Sequence, residues 1–128
     1  MLTRLLFSGG GNLPTFTIKA AKYSVSSSIH RYYYIGYNAV SGGTISSNSF
    51  IFNKKVYYLT ELADETKYYN IAFLDIKQDN EYIYPSVKLS INGTIHTFSY
   101  NKEHNALTAP KIGFTVGSVY TIKIISIE

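Results

Sequence analysis

Val87-Lys88-Leu89-Ser90-Ile91-Asn92-Gly93-Thr94-Ile95-His96-Thr97-Phe98 reads as two short strands joined by Asn92-Gly93. Asn-Gly between alternating apolar residues is a strong hairpin signal, because both central positions of a type I′ turn need positive φ. A two-residue turn fixes the register: Ile91 opposes Thr94, Leu89 opposes His96 and Val87 opposes Phe98. The face so formed is mostly apolar, and a hairpin with one apolar face must cover it with further strands.

Such strands are present in both directions along the chain. Upstream, Tyr32-Tyr33-Tyr34-Ile35-Gly36-Tyr37 lies in an aromatic, β-prone run from Arg31 to Tyr37. Thr15 to Tyr23 sets Phe16, Ile18 and Ala20 against Thr15, Thr17 and Lys19, the period of a half-buried strand. Phe50 to Leu59 reads as another, with Asn53-Lys54-Lys55 marking either a solvent edge or a turn between two short strands. Tyr68 to Ile76 is denser in apolar residues and predicts a strand covered on both sides; Asp79-Asn80-Glu81 supplies the turn after it. Downstream, Ile112 to Val116 and Val119 to Ile127 read as a closing pair around Gly117-Ser118. Val40 to Ser49 and Asn101 to Pro110 read as loops, and Leu59 to Tyr69 has at most one or two turns of helical character. The pattern predicts an all-β chain: one antiparallel β-sandwich or barrel-like domain of about eight strands, over residues 12–128.

Composition narrows the classes. A chain of 128 residues suits one core without staples. With no Cys there is neither a disulfide framework nor a thiolate metal site. Twelve Lys and Arg against eight Asp and Glu give a modest positive charge. The cations are scattered rather than gathered on one face, which argues against nucleic acid as the partner. The opening residues make a poor secretory signal, and no apolar run approaches the ~20 residues of a membrane span. The expected site of synthesis is a cytosol.

Ser8-Gly9-Gly10-Gly11 lacks the Gly-Lys-Ser/Thr of a phosphate cradle and reads as the hinge of a flexible N-terminal arm, residues 1–11. Leu2, Leu5 and Phe7 give that arm an apolar face able to add to a neighbouring sheet edge. His30, His96 and His104 have no metal-ligand spacing, and Asp64, Asp75, Asp79 and Glu81 have the distribution of solvated turn acids rather than of a catalytic pair. No cofactor and no catalytic residue is expected. The thirteen Tyr are the unusual feature. Adjacent Tyr on a strand point to opposite faces, so the outward members of Tyr32, Tyr33, Tyr34 and Tyr37 are the candidate binding or assembly surface.

Ile35-Gly36-Tyr37, then Gly42-Gly43-Thr44-Ile45-Ser46-Ser47-Asn48-Ser49-Phe50, Val56-Tyr57-Tyr58-Leu59 and Val87-Lys88-Leu89-Ser90-Ile91-Asn92-Gly93 together resemble a small β domain of unknown function found in proteins of tailed bacteriophages and prophages. The resemblance covers residues 16–127. Gly43-Thr44 departs mildly from its Gly-Ser turn, and a Trp often found near the C-terminal strands is missing. It implies a non-enzymatic virion structural protein, a capsid decoration or cement protein or a fibre or tail component. Such a protein is assembled in the host cytoplasm and works by contact with other virion proteins, as a homo-oligomer or in many copies on a symmetric particle. The alternative is a carbohydrate- or host-receptor-binding module, with a host-surface glycan as partner.

Overall fold

A computed structural model describes residues 13–24, 26, 28–46, 49–64 and 70–128. The arm, with Leu2, Leu5 and Phe7, lies outside the described residues. Eleven strands follow one another in the described chain: β1 (Thr15–Ser24), β2 (Ile29–Ser41), β3 (Thr44–Ile45), β4 (Phe50–Phe52), β5 (Lys55–Asp64), β6 (Ile71–Gln78), β7 (Glu81–Ile83), β8 (Val87–Ile91), β9 (Thr94–Asn101), β10 (Ala106–Pro110) and β11 (Val119–Ile127). Eight of them form a ring in the order β5-β2-β1-β11-β8-β9-β10-β6, closed by the pairing of β5 with β6. Every pair is antiparallel, so of the two architectures the sequence allows the molecule is the closed barrel.

The short strands explain how the barrel opens at one end. β5 pairs with β2 over Thr60–Asp64 but with β4 over Lys55–Tyr57. Likewise β6 passes from β10 at Ile71–Leu74 to β7 at Ile76–Gln78. The β5–β6 ribbon thus outruns the ring, and β4 and β7 take up its two edges.

Alternation decides what lies inside. Phe16, Ile18 and Ala20 of β1, Leu89 of β8, Phe98 of β9 and Ile122 of β11 are all buried. An aromatic cluster fills the interior near β4: Phe50 stacks on Tyr57 with centroids 4.5 Å apart and lies 3.6 Å from Phe16. The turn chemistry follows the sequence. Asn92 and Gly93 both have positive φ, and the hairpin register is Ile91 to Thr94, Leu89 to His96 and Val87 to Phe98. Asn53-Lys54 and Asp79-Asn80 adopt the same left-handed pair, so Asn53-Lys54 is a turn between two strands rather than a solvent edge. Asn92 also ties its hairpin to β11 by accepting from the Thr121 amide through Oδ1 at 2.8 Å.

Several expectations need correction. Leu59 to Asp64 is strand, not helix, because Leu59, Glu61 and Ala63 alternate into the interior. Ala106–Pro110 is a strand within the stretch read as a loop, since Leu107 and Ala109 are buried between β9 and β6. Ile112 to Val116 is a loop, not a strand. Its shape is set by Glu61, a fully buried carboxylate on β5. Oε2 accepts from the amides of Ile112 and Gly113, and Oε1 from that of Phe114 at 3.4 Å. Ile112 and Phe114 are thereby folded onto the core instead of into a ladder. Within Val40–Ser49, Thr44–Ile45 pairs with β4, and the loop between them is held by the Ser46 amide donating to the Ser49 carbonyl at 2.8 Å. On β6 the inward residues are buried, whereas the outward ones are only half-covered.

Candidate functional site: an aromatic and polar cleft on the outer barrel face

The outward side chains of β2, β5 and β6 form a floor. Across it, Tyr33, Thr60 and Phe73 lie in one row, because Tyr33 pairs with Thr60 and Thr60 with Phe73. Arg31 precedes that row on β2, and Asp75 follows it on β6. Two walls rise from this floor. One is the stretch through β7, with Tyr82 and Tyr84; the other is the β9–β10 turn, with His104, Asn105 and Ala106. Between them lies a cleft of ≈ 350 Å³, lined by Arg31, Asp75, Phe73, Tyr82, Tyr84 and Asn105 among others. That volume is at the small end of small-molecule sites.

The β9–β10 wall is held by local bonds. Asn101 accepts through Oδ1 from the amides of Glu103 at 2.9 Å and His104 at 3.3 Å, an Asx-type turn. Asn105 has φ 49°, a left-handed conformation that Asn tolerates. The Tyr100 hydroxyl donates to Asn105 Oδ1 at 2.9 Å, which leaves the amide NH2 as what Asn105 offers a ligand. Tyr100 in turn packs edge-on against Tyr84 at 5.0 Å, linking the two walls. His104 sets its ring at 90° to that of Phe73, centroids 5.6 Å apart. Lys77 Nζ lies 4.8 Å from the centroid of the Tyr82 ring at the rim.

Charge in the cleft is partly desolvated. Burial pushes the Asp75 carboxyl up, while the Arg31 and Lys77 cations pull it back. Arg31 Nε is buried and has no hydrogen-bond partner among the described residues.

The tyrosines singled out from the sequence separate cleanly. Tyr34 is 2 % exposed and belongs to the core, where its hydroxyl bonds the Tyr57 carbonyl, so it is removed from the surface set. Tyr32 is half-buried against the same core. Tyr37 is exposed on β2, and Tyr33 pairs with Thr60 across β2 and β5, but neither tyrosine lines the cleft. Arg31, Thr60, Phe73 and Asn105 were not singled out. No local motif joins them, since they come from three separate strands and a turn.

Among the described residues no group of three His, Asp or Glu could hold a metal ion, and no helix is long and apolar enough to cross a membrane. Compared with protein-family models, curated proteins and solved structures, the chain matches none of them.

Proposed function

We propose that this barrel is a non-catalytic recognition domain of a bacteriophage particle and that the outer cleft takes up carbohydrate. The observation that carries the reading is the cleft's make-up, with Phe73, Tyr82 and Tyr84 set around Arg31, Asp75 and Asn105. A sugar ring has apolar C–H faces that pack on aromatic rings and hydroxyls that need both donors and acceptors, and this cleft offers both kinds of surface. The virion setting rests on the resemblance of the Gly36-Tyr37, Ser46–Ser49 and Ile91-Asn92-Gly93 segments to a phage-associated β domain. Binding to a panel of immobilised saccharides tests the reading. At least one should be retained, and retention should be lost in a folded Tyr84→Ala protein. Retention of none, or binding unchanged by Tyr84→Ala, overturns it.

A second reading, assembly by protein contact, is favoured by a separate observation. Ile35, Tyr37 and Val40 are all exposed along β2, as is Ile51 on β4. On this reading the domain acts as a decoration, fibre or tail component present in many copies. Light scattering on the full chain and on Tyr37→Ser tests it: an oligomer that dissociates in the variant supports assembly through β2, and a monomer in both removes self-association.

A further inference from the structure

Resting on the carbohydrate reading above, we infer that the cleft is one end of a longer binding path. Tyr58 on β5 and Tyr33 on β2 receive the next residues of an oligosaccharide whose terminal ring sits in the cleft.

The sheet sets the direction of that path. β6 pairs with β5 along its whole length, so β10, bonded at Ile71–Leu74, and β7, bonded at Ile76–Gln78, both lie on its other edge. The two walls of the cleft therefore stand on one side of the floor. On the other side the floor runs on as sheet over β5 and then β2, which contribute only Thr60 and Arg31 to the lining. A sugar chain with one ring between the walls has its open way out over these two strands.

Register decides what it meets there. Tyr57 and Leu59 of β5 and Tyr34 of β2 are buried in the interior, so alternation turns Tyr58 outward with Thr60, and Tyr33 outward with Arg31. Tyr58 is the bonded neighbour of Asp75, and Tyr33 that of Thr60. Each tyrosine thus adjoins the cleft lining without belonging to it. Both are half-buried, braced by their surroundings and still reachable from solvent. Ile35, the next outward residue of β2, is 43 % exposed and continues the strip. None of Thr60, Tyr58, Tyr33 and Ile35 carries a charge, which suits the C–H faces of sugar rings.

Dimensions agree. A cleft of ≈ 350 Å³ has room for one or two rings, so further residues of a chain lie outside it. Neighbouring strands are about 4.8 Å apart, close to the length of one pyranose residue in an extended chain. One ring on β6 is then followed by one on β5 and one on β2. Tyrosine presents a ring face to each sugar and a hydroxyl to its oxygens, with only two χ angles to order.

The full chain, isotope-labelled, is titrated with glucose, cellobiose, cellotriose and cellotetraose, and with the matching β-1,4-linked N-acetylglucosamine series; amide shifts are the readout. In at least one series the affinity should rise about tenfold from the single sugar to the trimer, the scale of one or two aromatic contacts, and level off at the tetramer. Phe73, Asp75 and Asn105 should shift with every member, whereas Tyr33, Ile35 and Tyr58 should shift only with the longer ones. Tyr33→Ala and Tyr58→Ala should each lower the ratio of trimer to single-sugar affinity toward one. Should either fail to fold, Tyr33→Leu and Tyr58→Leu keep apolar bulk and remove the ring, and the same fall is expected. Binding at the cleft residues with an affinity independent of length, or a ratio unchanged in the variants, overturns the extended path and leaves the carbohydrate reading standing. No shift with any member of either series also overturns it, and the saccharide panel then decides separately whether the broader reading survives.

Discussion

The Tyr34 hydroxyl donates to the main-chain carbonyl of Tyr57 at 2.7 Å, inside the barrel. Tyr57, whose carbonyl accepts that bond, keeps its own hydroxyl buried with no partner among the described residues. Burial pushes both phenols well above their ordinary value, so each is neutral at any ordinary pH. Two chemically identical deletions should therefore have opposite signs. Tyr34→Phe removes a made bond and should cost about 1 kcal/mol. Tyr57→Phe removes an unmet donor while keeping the stack on Phe50, and should be neutral or stabilising by up to about 1 kcal/mol. Urea unfolding of the two variants measures the difference; equal losses would refute the assignment.

Glu61 organises the chain from Ile112 to Phe114 by accepting three consecutive amides. Replacing it with Ala strands those donors beneath the loop, and a single buried unsatisfied group costs about 1–3 kcal/mol. Glu61→Ala should lose on the order of 3 kcal/mol, with Glu61→Gln intermediate because one oxygen acceptor survives. Amide exchange should locate the loss: protection of Gly113 and Phe114 should fall first. Unchanged protection there would show that the carboxylate does not shape the loop.

Gly36 has an ordinary φ, yet a Cβ built on it would lie 2.0 Å from the Ser46 carbonyl oxygen and 2.5 Å from Ile45 Cγ1. The reason for glycine here is close approach of the β3–β4 segment rather than backbone freedom. Gly36→Ala should cost about 1–3 kcal/mol, the range for overpacking. Melting should show that loss, and the shifts of Ser46 and Ser49 should move most. An Ala variant as stable as the parent would contradict the close approach.

Asp75 allows a test by pH. Its carboxyl is raised by burial, so the folded chain holds the proton more firmly than the unfolded chain. Its contribution to stability is then complete below the unfolded carboxylate value and is lost as pH rises through the higher folded one. Asp75→Asn, neutral throughout, should melt a few degrees above the parent at neutral pH. The gap should close on acidification through the carboxylate range. A gap independent of pH would assign the effect to something other than ionisation.

What the sequence discloses here depends on whether the signal is local. The Asn92-Gly93 turn set its own register, and β1, β8 and β11 were legible from strict alternation. β10 was missed because Pro110 and the polar residues before Ala106 hide a short strand, which pairs locally with β9 on one side but with the distant β6 on the other. The loop around Phe114 misled in the opposite way. Ile112 and Phe114 have the spacing of a strand because both turn to the core, but the acceptor that bends them lies on β5, far away in sequence. Strand parity had the same limit. That Tyr34 rather than Tyr33 points inward depends on the bonded neighbours of β2, which no window around the tyrosines contains. The cleft was least legible of all, since its floor and walls meet only when the ring closes.

The pairing of β1 with β11 has a consequence for birth of the chain on a ribosome. Lys19 bonds across to Val119, so one edge of β1 waits for about a hundred further residues to be made. At about 5–20 residues per second that edge stays open for roughly 5–20 s, while β2 can already occupy the other. An open strand edge flanked by Phe16 and Ile18 invites pairing with a nascent chain on the adjacent ribosome. High-level expression should therefore be limited by co-translational aggregation, and slower initiation or a holding chaperone should raise the soluble yield without any change to the finished barrel.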